Sequence, residues 1–178
     1  EKPLSHNLKT AEKIVELCKL KNIKLVVNYS RRWDASIEKF KENIKSNDFG
    51  KLLSICTRSN NSFLNYGSHV LDTLLYLFDD KLEKFSDIKV FKNNIDDYLV
   101  SLLYNHNIPI NLIFDQKETF SLFEMDFNFS RYRITMFNGG RYWGYRKIQE
   151  DRDLKNNFLL SQFKFKKGNV LKALPMAV

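Results

Sequence analysis

The sequence predicts an α+β domain, a largely antiparallel open sheet with helices on one face. Three observations carry that expectation. Apolar residues recur at helical spacing in the first part of the chain and at a period of two from Phe85 onward. Asn138-Gly139-Gly140, set between two alternating runs, is a hairpin signal. The 178 residues, 43% hydrophobic and 28% charged, suit one globular domain with a sizeable core.

Ser5 offers an N-cap, and Leu8, Ala11, Ile14, Val15 and Cys18 repeat at helical spacing, so a helix is expected over residues 6–20. Residues 23–29 are mostly apolar and β-branched and read as a buried strand. A second helix is expected over 35–46, with Ile37, Phe40 and Ile44 inward and an end near Gly50. A strand follows at 52–58, a mainly polar loop at 59–65, and a helix at 67–78 with Val70, Leu71, Leu74, Leu75 and Phe78 inward. Alternation then predicts strands at 88–91, 98–104, 110–115, 123–129 and 132–137. Beyond Trp143 the pattern weakens. Residues 145–157 are charged, 162–167 alternate like an edge strand, and 171–178 resemble the start of a helix. Arg141 to Arg146 reads either as a strand after the hairpin or as an aromatic surface for stacking a sugar or base.

The net charge of +8 raises the question of nucleic acid. The lysines are interleaved with glutamates on predicted helix surfaces, the pattern of a solvated face, which disfavours a nucleic-acid-binding α+β module. The same charge suits attraction of phosphorylated or nucleotide-linked substrates. No apolar run approaches the ~18 residues of a membrane span. Cys18 and Cys56 read as core thiols of a reduced, cytoplasmic compartment rather than a disulfide. No His/Cys/carboxylate cluster has metal-ligand spacing, so no metal is expected.

Three short stretches carry chemistry: Glu1-Lys2-Pro3, Arg31-Arg32-Trp33-Asp34, and Asn65 through Asp72 with His69 between. On a helix, Asn65, His69 and Asp72 stand at i, i+4 and i+7, one face. Taken singly, His69 reads as a half-buried structural histidine or a proton carrier. Asp72 reads as a substrate ligand or an ion-pair partner, Asn65 as a hydroxyl ligand or a helix cap, and Arg32 as a cofactor contact or a surface ion pair.

In order and spacing, the three stretches resemble the Gfo/Idh/MocA oxidoreductases, the glucose–fructose oxidoreductase and inositol dehydrogenase family. The resemblance covers residues 1 to about 145. It implies a C-terminal-domain fold whose open sheet face packs on another subunit, giving a homo-oligomer. Tyr98, Phe123, Phe127, Phe129, Tyr132 and Phe137, more aromatics than one covered face needs, fit that expectation. It implies NAD or NADP as cofactor, and a sugar, polyol or nucleotide-linked sugar as substrate. Lys2 and His69 would be catalytic. Lys2, Asn65, His69 and Asp72 would bind substrate, and Lys2, Pro3 and Arg32 would meet the cofactor. The Lys2-Pro3 bond is of a type that tolerates the cis form.

Two departures from the family pattern bear on function. Asn65 stands where members usually carry aspartate, and an amide cannot orient or charge an imidazole as a carboxylate does. No G-x-G-x-x-G occurs in the chain and nothing precedes Glu1. The expectation is therefore a single substrate-binding and oligomerisation domain over 1–178. The nucleotide-binding domain would lie outside it, and the 178 residues alone would be inactive. The rival expectation is a non-catalytic relative that binds a sugar or scaffolds a complex.

Overall fold

The computed structural model describes residues 2–60, 63–78, 84–92, 97–115, 120–150, 158–160 and 164–167. The chain forms two compact units, Glu1–Ser30 and Arg31–Val178.

In the first unit the Lys2-Pro3 peptide bond is cis. Helix α1 (Leu8–Leu20) is capped by Asn7, whose side chain accepts from the Thr10 amide at 2.8 Å. The expected cap, Ser5, sits one step back and accepts from the Asn7 amide at 3.3 Å. Of the predicted stripe, Ala11, Ile14, Val15 and Cys18 are half-buried, so Cys18 is not a core thiol, while Leu8 is 74% exposed. Residues 23–29 form no strand, contrary to expectation. A strand needs a neighbour for its backbone groups, and no described strand pairs with this segment. Ile23 and Val26 are 59% and 68% exposed.

The second unit opens with a 3₁₀ turn, Ser30–Trp33, and helix α2 (Ala35–Lys45). Asp34 starts α2: its carboxylate accepts from the Ser36 amide at 2.8 Å and the Ile37 amide at 3.4 Å. The chain then turns at Gly50. There φ is +83°, and a Cβ would stand 2.2 Å from Ser130 Oγ, so a larger residue is excluded on both counts. Strand β1 (Leu52–Ser59), a π-helical turn (Phe63–Gly67) and helix α3 (Ser68–Leu77) follow.

The remaining strands are β2 (Phe85–Lys92), β3 (Tyr98–Tyr104), β4 (Ile108–Phe114), β5 (Phe123–Phe129), β6 (Tyr132–Phe137), β7 (Tyr142–Glu150), β8 (Phe158–Leu160) and β9 (Lys164–Lys167). They pair in the order β2-β3-β4-β1-β5-β6-β7-β8, with β9 also on β7. Among the described residues only β1 and β4 run parallel, with Ile55 opposite Ile110 and Thr57 opposite Leu112; every other described pairing is antiparallel. The fold is thus α+β with a largely antiparallel sheet, as expected. The expected edge strand near 162–167 is β9, while β7 extends through a segment too charged to read as a strand. Residues 171–178 lie outside the described residues.

The core lies between one sheet face and helices α2 and α3. Ile37 and Phe40 of α2 and Val70, Leu74 and Leu77 of α3 meet Ile55, Leu112, Met125, Phe127, Ile134 and Met136 of the strands. Phe40 is its pivot, with its ring centroid 4.9 Å from that of Phe127 and 4.8 Å from the Trp143 ring. Each such side chain contributes about 1.5–3 kcal/mol through burial. Leu71, expected inward, is exposed, and Leu77 takes its place.

The aromatics expected on the open face are mostly on the covered one. Phe123, Phe127 and Phe129 are buried, Tyr98 stacks on Phe63 at 5.4 Å, and Tyr132 packs on Phe49 at 5.7 Å. Of the set only Phe137 alternates onto the other face. That face is mixed: apolar Leu99 and Ile113 are cross-strand partners on it, and polar residues bond one another beside them. Arg133 Nε donates to Asp126 at 2.9 and 3.1 Å, and Thr135 Oγ1 donates to Asp126 at 2.9 Å. Asn128 bonds Ser54 at 2.9 Å, and Ser101 bonds Asn111 at 2.7 Å. Cys56, half-buried in the same row, has its thiol pKa raised by burial.

Candidate functional site

The site in the second unit is built where the 3₁₀ turn Ser30–Trp33, the π-helical turn Phe63–Gly67 and the start of α3 come together over the end of β5. A π turn widens the helix by one residue, and such turns recur at functional sites because they re-aim side chains. Here Gly67 lets the turn sit close: a Cβ on it would stand 3.2 Å from the Phe63 ring and 3.6 Å from that of Phe114. The side chains expected on one helical face therefore lie at graded depth. Asn65 is exposed on the π turn, His69 is half-buried one turn on, and Asp72 is buried.

Asp72 is held by Arg32. Arg32 Nε donates to both carboxylate oxygens at 3.0 Å, and its Nη2 lies 2.9 Å from Oδ1. This forked geometry makes Arg32 and Asp72, each readable singly as an ion-pair member, partners of one another. The Arg32 guanidinium also lies over the Tyr76 ring at 5.4 Å, with the Lys41 ammonium over the same ring at 4.0 Å. His69 stands edge-on to Tyr66, ring centroids 6.4 Å apart, and its carbonyl accepts from Thr73 Oγ1 at 2.8 Å. Tyr66 is fixed in turn by a 2.9 Å hydrogen bond between its hydroxyl and Ser121 Oγ, and by the Phe123 ring 5.7 Å away.

Two residues of this corner were not singled out from the sequence. Tyr66 lies between Asn65 and Gly67, and Arg31 precedes the chosen Arg32. Arg31 crosses the Phe123 ring at 3.8 Å, and burial lowers its pKa. Lys2 and Pro3 belong to the first unit, and the Arg32–Asp72 pair and His69 to the second. Among the described residues no group of three His, Cys, Asp or Glu side chains is placed to hold a metal ion. No described helix is long and apolar enough to cross a membrane.

No family model matches the sequence, and no curated protein sequence matches it. Solved structures do match. A super-repressor mutant of Gal80p from Saccharomyces cerevisiae superposes with a TM-score of 0.74 at 14% identity, covering 93% of this chain and 52% of its own. An inositol dehydrogenase homolog from Azotobacter vinelandii, complexed with NAD+, gives 0.71 at 14% identity over 93% of this chain and 49% of its own. The WlbA dehydrogenase from Bordetella pertussis, in complex with NADH and UDP-GlcNAcA, gives 0.65 at 13% identity over 78% and 51%. The chain spans about half the length of these structures. By its sheet order, its helices and these superpositions, the chain has the C-terminal-domain fold of the Gfo/Idh/MocA-type oxidoreductases that its motifs resemble.

Proposed function

We propose that the chain is the substrate-binding and oligomerisation domain of an NAD(P)-dependent oxidoreductase that moves hydride between a carbinol and nicotinamide. Its substrate would be a sugar, a polyol or a nucleotide-linked sugar. The observation that carries the reading is His69, half-buried at the start of α3 beside the fixed Tyr66 ring, in a fold shared with NAD-bound dehydrogenases. An imidazole exchanges protons near neutral pH, so His69 takes the hydroxyl proton in oxidation and returns it in reduction. Asn65, exposed one turn before, holds a substrate hydroxyl. Arg32 and Asp72 act as one ion pair, so whichever of them meets cofactor or substrate does so with its charge already balanced. Lys2 keeps the role that the resemblance gives it, donating to the oxygen whose charge grows during hydride transfer, with Pro3 on the cofactor side.

The chain's residues fit the reacting end of such a complex and not the dinucleotide. No glycine-rich loop opens a described helix, so the pyrophosphate would be held by a nucleotide-binding domain outside this chain. The exposed apolar Leu8, Leu17, Leu20, Ile23 and Val26 support a further body covering the first unit. When bound, the nicotinamide would supply or accept the hydride.

The test is a titration of the protein, expressed from its own start codon, with NADH and NADPH, followed by nicotinamide fluorescence. Saturable binding of one of them is expected, whereas a folded protein that binds neither removes the reading.

A second reading has a specific observation behind it: Asn65 in place of the family's aspartate, together with the superposition on Gal80p. It makes the chain a non-catalytic relative that binds a sugar or scaffolds a complex. Asn65→Asp separates the two, raising turnover in a weak dehydrogenase and changing nothing in a scaffold.

A further inference from the structure

Among the described residues, three enclosed side-chain polar atoms lack a hydrogen-bond partner: Arg31 Nε, Thr57 Oγ1 and Ser59 Oγ. They lie in one corner. Arg31 crosses the Phe123 ring at 3.8 Å, Ser59 is the cross-strand partner of Phe123, and Thr57 points from β1 to the same face two residues away. A buried polar group without a partner costs about 1–3 kcal/mol, and more when charged, so such groups are few and call for an explanation.

The hydroxyls can be met by a single water each. A guanidinium is different: it stays protonated and presents a rigid fork of donors, which a carboxylate or phosphate fills. Neither nearby carboxylate hydrogen-bonds Arg31 Nε, although both act on its charge through space. Asp34 Oδ1 caps α2 at the Ser36 and Ile37 amides, and Asp72 holds Arg32 through both oxygens. What faces Arg31 otherwise is the Phe123 ring, the Tyr66 phenol and Gly139. At Gly139 a Cβ would come within 3.0 Å of Arg31 Nη2. The guanidinium itself takes the space that a Cβ on Gly139 would need, and the glycine's φ of +65° is the left-handed region that favours glycine. The corner adjoins His69 through Tyr66, whose ring contacts both Phe123 and His69.

We infer that Arg31 is an oxyanion-binding residue, and that the substrate turned over beside His69 carries a carboxylate or phosphate ester that this guanidinium holds. The word substrate rests on the dehydrogenase reading, while the anion site stands on the geometry alone. Cation and ring share the load: the Phe123 face fixes the plane of the fork, and the anion balances its charge. Burial already disfavours the charged guanidinium, so an incoming anion relieves a cost present in the free protein.

The experiment is a titration of the whole protein followed by NMR on the Arg31 Nε–Hε signal, assigned through the bonds of its own side chain. The probes are glucuronate, glucose 6-phosphate and, as a neutral control, glucose. A saturable shift with either anionic sugar, absent with glucose, is the expected result, and the sugar that gives it tells carboxylate from phosphate. Arg31→Lys keeps the charge and loses the fork, so it should weaken that binding at least tenfold. An Arg31 signal that neither anionic sugar moves overturns the inference, whatever the variant does. A shift without any NADH or NADPH binding would sink the dehydrogenase reading and leave the anion site standing. Dinucleotide binding with an unmoved Arg31 would do the reverse.

Discussion

At the scale of single residues, what decides a role is which polar atoms already have partners. The sequence left Asp72 open between substrate ligand and ion-pair partner. The bidentate Arg32 contact makes it at least the latter, and no sequence pattern joins residues forty positions apart. Asp72→Ala should cost about 1–3 kcal/mol in urea unfolding, less than a fully enclosed pair would because Arg32 keeps access to water. Arg31 was hidden for a related reason: its burial depends on Phe123, far along the chain, and nothing local marks it. Glu124 offers a test of sign. Burial pushes its carboxyl pKa up, with Asp126 adding to the shift and Arg58 opposing it. The folded state then binds the proton more tightly than the unfolded chain, so Glu124 favours folding at acid pH and that contribution is lost as pH rises through the raised value. Glu124→Gln should raise the urea midpoint at neutral pH and leave it nearly unchanged at about pH 3.5, below an unfolded glutamate's range.

Among the elements, α2 was legible because its signals are local: an Asp cap, a three-residue apolar spacing and a basic last turn. Asp34→Ala should cost about 1 kcal/mol through two unsatisfied amides. Phe40→Ala should cost about 3–5 kcal/mol, because a ring set against Phe127 and Trp143 leaves a cavity that neither can fill; denaturant unfolding reads both. Strands β3, β5 and β6 matched their alternation to the residue. Residues 23–29 did not form a strand, although composition favours one, because strand formation is decided by a neighbour and not by propensity. β7 was legible only at its start: the strand reading of Arg141 to Arg146 holds, but Lys147 and Gln149 look like a solvated loop, and the strand's extension is fixed by pairing with β6 and β8. The π turn at Phe63–Gly67 also escaped, since one inserted residue leaves no periodic trace.

Across the whole molecule, the class of fold was written in the change of period, while the order of strands was not. The parallel β1–β4 contact sets residues about fifty positions apart side by side, and only the folded sheet reveals it. The same holds for the two sheet faces, since the aromatics that suggested an open apolar surface belong to the core. The open face instead sets hydrogen-bonded polar residues centred on Asp126 beside the apolar Leu99 and Ile113, and the proposed oligomer would close over it. Asp126→Lys, which unpairs Arg133 and Thr135 there, should convert that oligomer to monomer in light scattering, and a wild type already monomeric at high concentration counts against it. The central claim is that His69 moves the proton while hydride passes between a carbinol and nicotinamide. Its most direct test is nicotinamide-linked turnover by the protein expressed from its own start codon, with a panel of sugars and polyols, compared between wild type and His69→Asn. The wild type is expected to turn over at least one substrate, and the variant to lose about 10²–10⁴-fold in kcat with dinucleotide binding retained. A variant that turns over as fast as the wild type would contradict it.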